Sequence, residues 1–130
     1  MRLVDNLQSF LIVAFGAILG SNIRFIIYQK LAKIKLKKNY RILLINSFSS
    51  FLAGLIYSIS LHITHLKYSD ELLLFFLIGV LGSFSTFSTF VYDLFDLSTR
   101  YKFYRTLKLF IFSLSSGMIS LALGFLLGNQ

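Results

Sequence analysis

Apolar residues along this chain gather into four long runs, at about 7–28, 42–66, 72–95 and 107–127, separated by short polar segments. A bilayer core about 30 Å thick is crossed by roughly 20 mostly apolar helical residues, and each run meets that length. The pattern predicts an all-α membrane protein with four transmembrane helices forming a single domain over residues 1–130. The first run is of spanning length and has no basic start followed by a small-residue cleavage site, so it is expected to stay as a helix rather than be removed. The third run differs from the others. Its apolar stretch is interrupted by GSFSTFSTF, Gly82 to Phe90, which predicts a helix broken near Gly82–Thr89.

Composition narrows the possible cause of that break. The chain has 130 residues, is 56% hydrophobic with a mean hydropathy of +0.76, and contains neither cysteine nor proline. Disulfides and thiolate metal sites are excluded. Without proline, a helix can be interrupted only through glycine or through Ser and Thr side chains that offer the backbone other partners. Gly82 is the expected hinge, with its freed carbonyls turned inward as possible cation ligands.

The net charge of +8 does not indicate nucleic acid, because the basic residues lie in short loops against the spans. Lys30, Lys33, Lys35, Lys37, Lys38, Arg41, Arg100, Lys102, Arg105 and Lys108 fall on one side, and only Arg2 and Lys67 on the other. Cytoplasmic loops carry the excess of Lys and Arg, so both termini are expected to face away from the cytoplasm. The same lysines suit anionic lipid headgroups.

Inside the spans, ionisable groups are few. Arg24 lies near the end of the first, Asp93 and Asp96 near the end of the third, and none is central. A proton-coupled transporter would hold a carboxylate or histidine near the midplane. His62 and His65 have no third ligand, and no serine has a neighbouring base, so neither a metal site nor an enzyme is indicated. Hydroxyls and amides do cluster, at Asn46, Ser47, Ser49 and Ser50 in the second span and at Ser83, Ser85, Thr86, Ser88 and Thr89 in the third. Ser113, Gly117, Ser120 and Gly124 form one small-residue face suited to helix packing. Packing alone does not call for Phe84, Phe87 and Phe90 among the hydroxyls. Phe87 and Phe90 share a helical side, and the positive edge of an aromatic ring can contact an anion without a fixed charge. Ser88 and Thr89 would supply hydrogen-bond donors. Such a site binds weakly enough to release its ion, as conduction requires.

Three motifs in order resemble the CrcB or Fluc family of small fluoride channels: GAILGSNIRF (Gly16 to Phe25), LLINSFSSFLAG (Leu43 to Gly54) and GVLGSFSTFSTF (Gly79 to Phe90). The resemblance implies a passive channel that lets fluoride leave a prokaryotic cell across its plasma (inner) membrane. It implies pore phenylalanines at Phe87 and Phe90, a hydroxyl track at Ser88 and Thr89, and a pore asparagine at Asn46. Arg24 matches the family's motif arginine, which would concentrate anions at an entrance or else snorkel to headgroups. The backbone carbonyls of Gly82 and Ser85 match those that hold a structural sodium ion at the interface of an antiparallel dimer. Ser83 and Ser85 stand where the family has Gly and Thr, and Ser49 where it has Gly; Ser83 adds a Cβ where the backbone is expected to bend. A self-paired antiparallel dimer needs a weak charge bias, so ten basic residues against two imply a heterodimer with an oppositely oriented paralogue. The alternatives are a small multidrug-type transporter, which needs a carboxylate the first span lacks, and a non-conducting assembly subunit.

Overall fold

The computed structural model describes residues 2–34, 37–62, 69–85, 87–100 and 103–130, the side chains of 2–5 and 69 excepted. Lys35, His65, Lys67, Thr86 and Lys102, and the side chain of Arg2, lie outside the described residues. Helices account for nearly all of the described chain, and they supply four spans long and apolar enough to cross a membrane. In hydrocarbon every backbone N–H and C=O must be satisfied within the protein, and a helix does this locally.

Helix α1 (Arg2–Lys33) and helix α2 (Lys38–His62) are continuous and reach further toward the basic loop than the apolar runs do. Nothing breaks them there, and long lysine stems can lie along apolar surface with the ammonium in water. The third span is composite. It comprises α3 (Ser69–Leu73), a π-helical stretch Leu74–Leu81, α4 (Gly82–Phe84) and α5 (Phe87–Arg100). Helix α6 (Phe103–Gly128) returns.

Two close-packed pairs make the body. Helix α2 packs most closely on α6, and α1 on the π stretch and α4. Glycine permits both approaches: a Cβ at Gly124 would overlap the Phe51 carbonyl, and one at Gly54 the Leu121 carbonyl. In the other pair a Cβ at Gly16 would lie 2.6 Å from the Phe75 carbonyl oxygen, and one at Gly20 would overlap the Val80 carbonyl. Small residues let membrane helices gain van der Waals contact where no hydrophobic force joins them. Hydroxyls link the helices as well. Ser47 Oγ and Ser116 Oγ are 2.8 Å apart between α2 and α6, and buried Ser49 Oγ donates to the Leu81 carbonyl at 3.2 Å, joining the two pairs.

The break in the third span lies beyond Gly82. Gly82 keeps right-handed helical angles (φ −61°, ψ −37°), and the chain turns extended at Ser85 (φ −71°, ψ 151°). Ser83 sits within α4 with its hydroxyl on the Val80 carbonyl at 3.0 Å, so its Cβ meets no bend. The irregularity before the break is the π stretch, where the Gly82 N–H points to the carbonyls of Gly79 and Leu77. Widening one turn turns Gly79 toward Gly16, whose Cα would lie 2.9 Å from a Cβ at Gly79.

Candidate functional site

Helix α5 restarts immediately after the break and is amphipathic. Phe90 and Asp93 are buried and Leu94 and Leu97 half-buried, the i, i+3, i+4, i+7 stripe of a helix lying on a core. Phe90 is 9% exposed and stacks on Phe110 of α6, with ring centroids 6.3 Å apart and planes at 20°. Phe87, one turn earlier, is 78% exposed. Thus the two phenylalanines share a side, but one is held by the fold and the other stands free at the helix start.

They converge on a groove of about 600 Å³ between α2, the break, α5 and α6. Asn46 and Ser50 of α2, Ser85 of the break, and Ser113 of α6 give it polar groups along a mainly apolar wall. The combination suits a small ion that must shed water without being trapped: few donors, aromatic edges and no lysine or arginine in the wall. Of the residues given a pore or ion-binding role from sequence, Asn46, Ser85, Phe87 and Phe90 line this groove. Ser88 and Thr89 do not. On a helix they are rotated away from the Phe87–Phe90 side, Ser88 being exposed and Thr89 half-buried. Arg24 is half-buried on α1, outside the groove, and Gly82 is exposed.

Several contributors were given another role from sequence, or none. Ser113 and Gly117 line the groove, so the small-residue face of α6 does more than pack; Gly117 leaves 3.5 Å between a Cβ and Ser50 Oγ, whereas Gly124 is closed against Phe51. Phe110 supports Phe90 from α6. Asp93 is buried, 4% exposed, with its Oδ1 2.5 Å from Lys38 Nζ, so Lys38 serves as an ion-pair partner as well as a loop charge. Lys38 also lies over the Tyr92 ring, 4.8 Å from its centroid, and Arg41 over that of Tyr28 at 4.6 Å. An i, i+3, i+4 pattern from Phe110 to Ser113 to Leu114 would have shown the α6 wall. His62 hydrogen-bonds Asn129 at 3.2 Å near the far ends of α2 and α6.

Comparison with known proteins finds a matching family and a similar relative. The family described as CrcB-like protein, camphor resistance (CrcB), matches residues 11–125. A relative from Prochlorococcus marinus (strain NATL2A), named fluoride-specific ion channel FluC 2, is 51% identical over 124 residues, covering 95% of this chain and all of the relative.

Proposed function

The chain belongs to the CrcB family, and from that membership we infer that it is a fluoride channel whose path follows the groove between α2, α5 and α6. The observation that carries the path is the convergence of Asn46, Ser85, Phe87 and Phe90, drawn from two helices and the break, on one cavity wall. A hydrogen-bonding amide and hydroxyl replace part of the ion's water, and the ring edges of Phe87 and Phe90 complete its shell without a fixed charge. Ser88 and Thr89, away from the groove of a single chain, would contribute where a second chain completes the conduit. Arg24 would raise the local anion concentration from outside it. Passive flow down the gradient would lower fluoride in the cytoplasm of a prokaryote, with the protein in its plasma (inner) membrane.

Two further features belong to the assembled channel. The carbonyl oxygens of Gly82 and Ser85 flank the break, and such hard oxygen donors suit sodium; the ion would tie the breaks of two antiparallel chains together. The exposed Phe87 and the open side of the groove fit a wall supplied by a partner chain. The charge bias favours an oppositely oriented paralogue as that partner, and the numeral in the relative's name, FluC 2, fits the existence of paralogues.

Fluoride efflux from liposomes containing this chain, with and without such a partner, tests the reading. Phe87→Ile and Phe90→Ile should each lower flux, and flux unchanged by both substitutions would reject the groove as the path. Sodium should raise the fraction of chain recovered as dimer in detergent, a readout independent of flux.

A further inference from the structure

The groove does not end at Phe90. Phe90 and Ser113 also line a pinch of about 10 Å³, together with Ile42 and Asp93. That pinch in turn shares Asn39, Leu43 and Leu109 with a second cavity of about 470 Å³ edged by Lys37, Arg105 and Lys108. The three cavities therefore run end to end, from the phenylalanines to a basic mouth, and the narrowest point carries a carboxylate.

A carboxylate is an odd wall for an anion. Asp93 is 4% exposed, one of its oxygens is bound to Lys38 Nζ, and the other, Oδ2, is buried with no hydrogen-bond partner. A lone buried negative charge there would repel any anion passing Ser113. Lys38 approaches from the N-terminus of α2, its side chain 43% exposed, and cancels that charge at the pinch. Tyr28, Arg41 and Tyr92 gather at this end as well, beside Lys37, Tyr40, Arg105 and Lys108 of the mouth, and Arg41 is itself held on Tyr28.

Resting on the groove as the fluoride path, we propose that the Lys38–Asp93 pair is an electrostatic collar at its basic end, setting how tightly the anion is held there on its way between mouth and groove. With both charges present the collar is near neutral, so an anion is neither excluded nor retained. Removing one member unbalances it in a definite direction. Lys38→Met leaves a negative collar, and Asp93→Asn leaves a positive one.

The test is the fluoride concentration giving half-maximal flux in liposomes containing the chain with its partner. Lys38→Met should raise that concentration about tenfold and Asp93→Asn should lower it by a comparable factor, as a unit charge a few ångströms from the ion implies. The double variant should fall between them. A pair that only braces α2 against α5 would impair both single variants in the same sense, so shifts of the same sign, or none, overturn the collar. Monodispersity in detergent confirms that each variant is assembled, and Lys38→Arg, which keeps the charge, should shift less than Lys38→Met. Phe87→Ile and Phe90→Ile separate the two claims: flux lowered by either of them with no opposed shifts in the pair variants defeats the collar alone, and flux unchanged by both defeats the groove and the collar with it.

Discussion

One carbonyl oxygen, that of Leu81, receives two donors at the end of the π stretch: the Ser85 N–H at 3.1 Å and the Ser49 hydroxyl at 3.2 Å. In a medium without water both donors satisfy that carbonyl where the third span stops being helical. Ser49→Ala should therefore destabilise the folded chain by about 0.6 kcal/mol and at most about 1.7 kcal/mol, the average and the upper end for hydrogen bonds between membrane helices. Ser60→Ala, which removes only a bond to the carbonyl of Tyr57 in its own helix, should be neutral. Denaturation midpoints in detergent decide between them. Phe87 and Phe90 should divide in a related way. Phe90→Ala loses a stacked contact worth about 0.5–1.5 kcal/mol and should lower both flux and midpoint, while Phe87→Ala, exposed at the helix start, should lower flux alone. At this scale Phe87 and Phe90, which the structure places on the groove, stood out in the sequence because packing alone does not call for aromatic rings among hydroxyls, and Asn46 stood out through the family resemblance. The Lys38–Asp93 pair could not, since a charge count treats every loop lysine alike and does not say which one reaches a carboxylate on another helix.

Between elements, glycine decides how near the helices come. A Cβ at Gly124 would overlap the Phe51 carbonyl, a backbone group that cannot rotate away, whereas one at Gly117 would sit 3.5 Å from the Ser50 hydroxyl in ordinary contact. Gly124→Ala should therefore cost about 1–3 kcal/mol through strain in the α2–α6 contact. Gly117→Ala should leave the midpoint within about 0.5 kcal/mol of the parent. Comparing the two melts checks the contact, and equal destabilisation would disprove it. The four spans were legible because an apolar run of spanning length suits a bilayer and little else. The composite build of the third was only half legible: glycine and hydroxyls marked an interruption, but Gly82 turned out helical and the chain turns at Ser85. A π turn leaves no composition signal, because it is imposed by Gly79 having to meet Gly16 of another helix.

The described residues leave much apolar surface uncovered, as a lipid-facing body does: Phe103, Tyr104 and Met118 are each more than 70% exposed. Loop charge, ten basic residues in two loops against two elsewhere outside the spans, leads us to expect that the body stands with those loops in the cytoplasm. A symmetric antiparallel pair needs half of its copies inserted each way, and a bias of this size works against the minority orientation. The chain has no cysteine, so introduced ones report orientation without background. Gln130→Cys, at the exposed end of α6, should react with a membrane-impermeant maleimide on intact cells. Ser98→Cys, exposed near the basic end of α5, should react only after the membrane is opened. Comparable labelling of both in intact cells would mean dual insertion, and the open groove would then find its second wall in another copy of the same chain. Labelling confined to Gln130→Cys would require the wall to come from a different chain, and fluoride efflux should then appear only when an oppositely biased paralogue is expressed alongside.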